Sequence, residues 1–277
     1  MVLGFYQLST GLKFQTLNHK RFKRVKIVII GAGNVATVFG RRVKAAGHTL
    51  LQVFSRQVVH AKALADELVC GFTTSFYGIN QSADIYIIAL PDEALANIAD
   101  GLQLGNKLVV HTAGSVSINV LKRVSENYGV VYPLQSLRKE NADMEIEMPL
   151  LVDGNNENTL KVIESFAKTI SNMVGRTNDE QRLKMHIAAV VVNNFTNHLY
   201  SLAEDYCKEE KVDFKMLQPL IEETAIRLRN YSPKDMQTGP AARKDISTTE
   251  KHLKLLSSYP KLYELYSHFT KSIIQAE

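Results

Sequence analysis

A run of small residues follows directly on the apolar segment Val25–Ile30. An apolar run that ends in glycines predicts a buried strand, a tight turn and the start of a helix. In such a turn the first glycine permits the bend and the second lets the backbone approach a pyrophosphate. The free N–H groups at the helix N-terminus favour phosphate. The spacing predicts a dinucleotide site at Gly31, Ala32, Gly33, Asn34, Val35 and Ala36.

The next predicted strand, Thr49–Phe54, ends in Ser55 and Arg56 and carries no acid. NAD sites of this kind have Asp or Glu there, which accepts hydrogen bonds from the ribose 2′-OH. A guanidinium can instead pair with a 2′-phosphate, and a serine can donate to it. This pattern predicts NADP as the cofactor. The alternative is that Arg56 is a solvated loop residue and Ser55 caps the following helix.

Two further predicted strands end in polar residues. Ala83–Pro91 is apolar and halted by proline, and its loop is expected to cover the nicotinamide half of the cofactor. Asp92 is either a helix N-cap or a catalytic carboxylate.

The strand 107–110 leads into His111, Thr112 and Ser115. Histidine can transfer a proton near neutral pH, and the hydroxyls can bind a polar substrate. His111 could equally be a hydrogen-bonded structural histidine at a strand end.

A long segment without glycine or proline, residues 179–210, predicts a helix that is apolar nearly all round at its centre. Such a helix is expected to be covered by other helices or by another subunit. His186, Asn193 and Asn197 follow at spacings of seven and four, so they share one face. They form either a buried polar seam or the wall of a substrate pocket. Lys184 either reaches solvent or enters the cleft.

The loop Gln237–Asp245 precedes another predicted helix and contains a Gly-Pro turn. Its adjacent cations, Arg243 and Lys244, suit a carboxylate or phosphate. The same loop could be a simple helix connection. The residues from Ser247 to Glu250 read as a capping box that begins the next helix.

Strand and helix signals alternate as far as Asn178, and only helical patterns follow. This predicts an α/β fold, a doubly wound parallel Rossmann sheet followed by an all-α C-terminal domain. We expect a basic leader at 1–24, an NADP-binding domain at 25–178, and a helical substrate and dimerisation domain at 179–277.

The formal charge of +5 comes from the leader. Five of the 33 Lys and Arg residues lie in residues 1–24 without any acid, which leaves 28 basic against 28 acidic residues. The leader is either an extension or the product of an upstream start site, or else an arm that binds nucleic acid. Because no later segment continues its basic patch, we predict no nucleic-acid partner. No apolar run is long enough for a membrane helix. The two cysteines make no CxxC metal site and favour the reducing cytoplasm.

Taken in order, the motifs GAGNVA, SR, ALPD, HTAGS, YPLQS, K-x-H-x-A-A and QTGPAAR resemble one family. It is the pyrroline-5-carboxylate-reductase-like family of NADP oxidoreductases, of the coenzyme-F420-dependent type, with a helical C-terminal domain of unknown function. The resemblance covers the chain from Val25 onward. It implies NADP bound by a Rossmann domain, homodimers formed through the helices, and an active site in the cleft. It also implies cofactor contacts at the six glycine-turn residues, at Ser55 and Arg56, and at Leu90 and Pro91 near the nicotinamide.

The chain departs from related enzymes at two positions. β-Hydroxyacid dehydrogenases have an asparagine four residues after a catalytic lysine, whereas Ala188 follows Lys184 here. Many relatives have histidine where this chain has Tyr132, which moves the expected proton transfer to His111. The pair Thr238-Gly239 is similar in place to a carboxylate-binding loop of pyrroline-5-carboxylate reductases.

The predicted function is hydride transfer between NADP(H) and a small imine, carbonyl or alcohol substrate that carries a carboxylate. His111 is expected to transfer the proton, with Thr112 and Ser115 as hydrogen-bond donors. His186 and Asn193 would orient the substrate, and Arg243 would hold its carboxylate. The alternative is an NADP(H)-binding sensor or scaffold without turnover. A deazaflavin hydride acceptor is a third possibility that the sequence leaves open.

Overall fold

The computed structural model describes residues 24–141 and 147–275. The basic leader predicted for residues 1–24 therefore lies outside the described residues, apart from Arg24. The chain divides into two compact units, one that ends at Ile187 and one that begins at Ala188. The division falls inside the helix that begins at Asp179, whereas the sequence placed the boundary just before that helix.

The first unit is built on one eight-stranded sheet. Its strands are β1 Lys26–Ile30, β2 Thr49–Phe54, β3 Gly71–Thr73, β4 Ile85–Ile88, β5 Leu108–His111, β6 Asn127–Pro133, β7 Leu150–Gly154 and β8 Val174–Arg176. They lie in the order β3-β2-β1-β4-β5-β6-β7-β8. Every neighbouring pair is parallel except β6 and β7, which are antiparallel. The predicted Rossmann sheet is confirmed, with one antiparallel pair near its edge.

The strand order creates the crevice that the glycines need. β1 pairs with β2 on one side and with β4 on the other, so Ile30 lies beside both Phe54 and Ile88. The connections that leave β1 and β4 run to opposite sides of the sheet. In open α/β sheets, ligands bind at such a point, outside the carboxyl ends of the strands.

Buried apolar side chains cover both faces of this sheet. Ile27 and Ile29 of β1 pack in one cluster, and Val28 and Ile30 of the same strand pack in the other. A parallel strand that is buried on both faces reads as an unbroken apolar run, because neither face meets water. This is why the sequence signal over Val25–Ile30 was continuous rather than alternating.

Five α-helices accompany the sheet: α1 Asn34–Ala45, α2 Val58–Leu68, α3 Asp92–Ala96, α4 Glu157–Ile170 and α5 Asp179–Ala189. Gly47 follows α1 with a φ of +81°, the left-handed conformation expected of a residue that ends a helix. α3 has Pro91 at its N-cap, so the reading of Asp92 as the N-cap is wrong and Asp92 is the first helical residue.

The second unit continues the helical segment of α5. A π-helical stretch, Val190–Phe195, is followed by α6 Thr196–Glu209, α7 Gln218–Arg227, α8 Ile246–Leu255 and α9 Pro260–Gln275. Asp245 caps α8 by accepting hydrogen bonds from the backbone N–H and the hydroxyl of Thr248. The predicted capping box from Ser247 is therefore displaced by a better acceptor two residues earlier.

The centre of the long helical segment is exposed within the single described chain, so other helices of this chain do not cover it. Val191, Val192, Asn193 and Phe195 all face solvent within the single chain. Across the described residues, no helix is both long and apolar enough to cross a membrane.

Candidate functional site

Gly31 occupies the tightest point of the turn after β1. Its φ is +129°, a conformation that disfavours side chains, and a Cβ built there would lie 2.1 Å from the carbonyl oxygen of Ala89. Its N–H donates to the carbonyl oxygen of Phe54 at 2.8 Å. The turn is thus pressed between the ends of β2 and β4, and only glycine fits there.

Gly33 has the opposite environment. A Cβ built at Gly33 meets nothing within 4 Å, so the backbone there faces open space. Gly33 is also the N-cap of α1, whose first turn contains no acidic residue and receives no side-chain cap. Free N–H groups beside an open backbone suit a pyrophosphate. Ala36 is fully buried, as expected of a residue that lets α1 pack closely on the sheet.

A cavity of about 620 Å³ lies along this turn. Eight of the ten residues predicted to bind cofactor line it: Gly31, Ala32, Gly33, Asn34, Ser55, Arg56, Leu90 and Pro91. Of the other two, Val35 packs partly buried against the core and Ala36 lies within it. The structure therefore brings the three strand ends of β1, β2 and β4 to one crevice.

The charge of this cavity fits a phosphorylated ribose. Arg56 is exposed and, within residues 24–141 and 147–275, has no hydrogen-bond or ion-pair partner. No Asp or Glu is among the described residues that line the cavity, so no carboxylate would repel a 2′-phosphate. Ser55 accepts a hydrogen bond from the N–H of Gln57 at 3.3 Å, which leaves its hydroxyl proton available.

Several cavity residues escaped the sequence reading. Phe76 stacks on Phe54 with 4.5 Å between ring centroids, and His60 and Lys139 add polar groups to the wall. Phe76 and Lys139 are distant from the glycines in sequence, and only the strand order brings them near. His60 follows the second strand at a short distance, and its place near the cavity could have been suspected from that.

His111 lies fully buried at the end of β5. Its Nδ1 accepts a hydrogen bond from the N–H of Ala113 at 3.1 Å, and its Nε2 is buried with no partner among the described residues. Burial and, to a smaller extent, the nearby Arg182 lower the pKa of His111 to about 3, against the opposing effect of Asp179. His111 is therefore a neutral imidazole near pH 7, in the position of a structural histidine.

An ion pair on α5 holds the loop that follows β5. Arg182 is 1% exposed and donates to the carbonyl oxygen of Val116 and to the carboxylate of Asp179. Asp179 in turn accepts from the N–H of Ile118 at 3.2 Å. Burial raises the pKa of Asp179, but hydrogen bonds from Ser117, Arg182 and Ile118 outweigh this and keep the pKa below its ordinary value.

One turn further along α5, His186 meets the same loop. Its Nδ1 lies 2.9 Å from the hydroxyl of Tyr132 on β6. A Cβ built at Gly114 would lie 2.8 Å from Nδ1 of His186 and 2.9 Å from Cε2 of Tyr132. The loop can approach both rings this closely because Gly114 has no side chain.

Ser115 and Thr112 already have partners within the first unit. The hydroxyl of Ser115 donates to the carboxylate of Asp92, which joins the loop after β5 to the start of α3. The backbone N–H of buried Thr112 donates to the carbonyl oxygen of Ile88 at 3.2 Å. Of the predicted catalytic residues, His111, Thr112, Ser115 and His186 thus belong to one connected region.

Asn193 and Arg243 belong to the second unit. Asn193 lies exposed in the π-helical stretch, as Asn197 does in α6, so the two form no buried polar seam within the single described chain. Arg243 follows Gly239, whose φ is +105°, and its N–H donates to the carbonyl oxygen of Gly239 at 3.2 Å. Lys184 points to solvent on α5 and pairs with Glu180 at 2.5 Å.

Two protein families match successive parts of the chain. Residues 26–114 match the family described as NADP oxidoreductase, coenzyme F420-dependent. Residues 148–273 match a domain of unknown function, DUF2520. Together they span both units. A comparison with curated protein sequences gave no match.

Solved structures give a concordant result. The chain is 35% identical to BF3122 from Bacteroides fragilis, a provisionally assigned NADP oxidoreductase, with a TM-score of 0.84 over 91% of this chain and 98% of that one. A 1-pyrroline-5-carboxylate reductase from Streptococcus pyogenes is 12% identical, with a TM-score of 0.63 over 91% and 99% of the two chains. An imine reductase from Myxococcus stipitatus, in complex with NADP+, is 12% identical, with a TM-score of 0.62 over 91% and 94%. The last two likenesses show the fold alone.

Proposed function

The chain belongs to the NADP oxidoreductase family of the coenzyme-F420-dependent type that carries a DUF2520 domain, and we propose that it transfers a hydride between NADP(H) and a small imine, carbonyl or alcohol substrate. The family agrees with the resemblance and with the NADP cofactor predicted from the sequence. The substrate class, which includes a carboxylate, is the finer part of the proposal.

The cavity at the carboxyl ends of β1, β2 and β4 carries this proposal. Its wall combines an open glycine backbone, the start of α1 and the unpaired guanidinium of Arg56. When bound, NADPH supplies a hydride at its nicotinamide ring. Gly33 and Asn34 would hold the pyrophosphate, Ser55 and Arg56 the 2′-phosphate, and Leu90 and Pro91 the nicotinamide end.

Ser115 and Thr112 are proposed to orient the substrate, because they lie on the loop that is hydrogen-bonded to Asp92, next to Pro91. The roles of Asn193 in orienting the substrate and of Arg243 as its carboxylate anchor stay predictions from the sequence. For His111 we propose the second of the two roles that the sequence left open, that of a structural histidine at the end of β5. Its engaged Nδ1 and its buried Nε2 support this role over proton transfer.

Cofactor preference and turnover test this function. We expect fluorescence titration to give tighter binding of NADPH than of NADH, and Arg56→Ala to abolish most of the difference. The control variant is His60→Gln, at a neighbouring residue of the cavity wall. It should retain more of the preference for NADPH over NADH than Arg56→Ala does. Purified protein should then oxidise NADPH with a member of an imine, ketone and aldehyde panel that includes carboxylate-bearing compounds and a deazaflavin acceptor. Preference for NADH, or no oxidation with any of them, contradicts the proposal.

A second candidate function is an NADP(H)-binding sensor or scaffold without turnover. The observation that favours it is the state of His111, because a buried histidine with a pKa of about 3 cannot exchange a proton near neutral pH. A sensor would bind NADPH with the wild-type preference, oxidise it with no substrate of the panel, and lose nothing on replacement of Ser115.

We further propose that two copies pair through the helical unit. Val192 is 71% exposed and Phe195 is 59% exposed in a helix that is apolar nearly all round. Contiguous apolar side chains on a helix surface mark an interaction site, and the sequence pattern calls for cover on several sides. We expect Val192→Asp to convert a dimer to a monomer in analytical ultracentrifugation. Val162→Asp, at an exposed valine of α4, should leave the dimer intact.

Cytoplasmic location is also part of the proposal. Both cysteines are free, and burial raises the pKa of the Cys70 thiol to about 11, which suits an unreactive thiol in a reducing compartment.

A further inference from the structure

Tyr132 and His186 form a hydrogen-bonded pair in which the tyrosine is buried and the histidine is partly exposed. The hydroxyl oxygen and Nδ1 are 2.9 Å apart, and the rings meet edge to face with 5.9 Å between centroids. Tyr132 is 8% exposed, whereas His186 is partly exposed. Nε2 of His186 has no partner within the described residues and is not one of the buried unpaired atoms. The imidazole is therefore the member of the pair that a ligand or solvent can reach.

A short series of contacts connects this pair to the cofactor cavity. Pro91 lines the cavity, and the next residue, Asp92, accepts a hydrogen bond from Ser115. Gly114, which precedes Ser115, lies against both rings of the pair. The imidazole of His186 thus lies one loop residue away from a side chain that is fixed at the nicotinamide end of the cavity.

Resting on the proposed function, we propose that His186 is the proton-transfer group of this reaction and that Tyr132 is its positioning residue. In the direction of reduction, the C=N or C=O carbon of the substrate gains the hydride with its electron pair. The nitrogen or oxygen of that bond takes a proton from Nε2 of the His186 imidazolium, which becomes a neutral imidazole. A proton from solvent restores the imidazolium.

Tyr132 can hold the ring in both states. Burial raises the pKa of Tyr132, although Arg182 lowers it in part, so the hydroxyl stays protonated near neutral pH. Its oxygen can accept from the Nδ1–H of the imidazolium and from the Nδ1–H of the neutral ring that has lost its Nε2 proton. In both states Nδ1–H is engaged and Nε2 is the nitrogen that exchanges. Other titratable or charged groups of this region include Arg182 and Asp179 on α5, His111 at the end of β5, Asp92 at the start of α3 and Asp153 on β7.

His111, the other histidine of this region, is excluded from the role by its geometry. Its Nδ1 already accepts from Ala113, and its Nε2 is buried. Because one ring nitrogen is already hydrogen-bonded and the other is buried, a substrate cannot reach either nitrogen to exchange a proton.

Nuclear magnetic resonance of the histidine rings tests the pairing without any substrate. In full-length protein, Tyr132→Phe should change the ring ¹⁵N shifts of His186, because its Nδ1 loses the hydroxyl partner. The control is Tyr128→Phe, since Tyr128 lies on the same strand, is similarly buried and donates to Asn119 at 3.2 Å. It should leave His186 unchanged. Equal behaviour of the two variants overturns the positioning role.

Kinetics tests the proton transfer. His186→Asn and His186→Gln should each lower kcat by roughly 100-fold or more, while the Kd for NADPH stays within about twofold. Tyr132→Phe should lower kcat about tenfold and displace its pH profile, whereas Tyr128→Phe should do neither. Gly114→Ala, whose methyl group would press on both rings, should act like Tyr132→Phe. Gly175→Ala, which meets only Leu151 at 3.4 Å, is its control.

The outcomes separate this inference from the proposed function. If the wild type turns over a substrate and both His186 variants retain kcat within about threefold, His186 is not the proton-transfer group while the oxidoreductase function stands. If the wild type oxidises NADPH with no substrate of the panel, the proposed function fails, and the proton transfer fails with it.

Discussion

The two units of the chain differ in which side chains they bury. The sheet unit buries polar as well as apolar side chains, including Arg182, His111 and His48, each with at least one hydrogen-bond partner. In the helical unit, of the residues from 188 to 275 that the structure describes, only Cys207, Ala241, Thr249 and Leu256 are buried. Large apolar side chains there face solvent. The difference teaches that specific polar contacts organise the sheet unit, whereas the helical unit leaves apolar surface that the proposed pairing of two copies would cover.

The largest contrast lies within the glycine turn of the sheet unit. Gly31→Ala places a methyl group 2.1 Å from the carbonyl of Ala89 at a positive φ, so we expect about 4 kcal/mol or more of lost stability. Gly33→Ala meets nothing within 4 Å and should cost within about 1 kcal/mol. It should nevertheless weaken NADPH binding, because the methyl occupies the approach to the backbone. Urea denaturation and fluorescence titration measure the two effects, and equal stabilities would contradict the contrast.

A matched pair of phenylalanines compares the two units directly. Phe39 on α1 is fully buried, and Phe195 is 59% exposed. Phe39→Ala should cost about 4 kcal/mol, since it leaves a cavity in the core. Phe195→Ala should cost within about 0.5 kcal/mol when the protein is dilute enough to be monomeric. If Phe195→Ala proves equally costly at every concentration, the helical unit is covered within the single chain and the comparison breaks down.

The ion pair between Arg182 and Asp179 should contribute more to the free energy of unfolding than an exposed ion pair does. Asp179→Asn leaves the buried guanidinium of Arg182 without its carboxylate, so we expect a loss of about 3 kcal/mol in the free energy of unfolding. Glu180→Gln breaks the neighbouring pair with Lys184, in which both side chains are more than 70% exposed, and should cost within about 0.5 kcal/mol. Chemical denaturation at low and high salt distinguishes them, because only the exposed pair is screened.

Acid should destabilise the sheet unit through His111. Its folded pKa of about 3 lies below the ordinary value of 6.5, so below pH 6.5 the unfolded chain binds the proton and the folded chain does not. Stability therefore falls as the pH drops from 6.5 towards 3, by about 2 kcal/mol at pH 5 for this one group. His48, whose pKa is lowered by burial and by Arg24, adds to the same trend.

Variants isolate the contribution of His111. His111→Gln should flatten the pH dependence of the unfolding free energy between pH 7 and pH 5 by about 2 kcal/mol. His198→Gln, at an exposed position on α6, should leave it unchanged. Parallel curves for wild type and His111→Gln would show that His111 is solvated in the folded state.

Much of the fold was predictable because its signals are local. The strand Thr49–Phe54 has the bounds that its pattern predicted, and the glycine turn lies where the spacing placed it. The short strand β8 was missed, since three residues, Val174–Arg176, carry too little pattern to be recognised. Asp245 displaced Ser247 as the cap of α8 because the competing acceptors lie only two residues apart.

The sequence by itself determined the cofactor crevice and the class of chemistry. Glycine spacing, an apolar strand and the absence of an acid after β2 act over a few residues, and their consequences do not depend on distant parts of the chain. The proton transfer that we propose depends on the tertiary structure. The sequence favoured His111 for it over His186, but the sheet buries His111 at the end of β5 and α5 brings His186 to Tyr132. Burial and pairing set a pKa, and both depend on contacts between residues far apart in the chain.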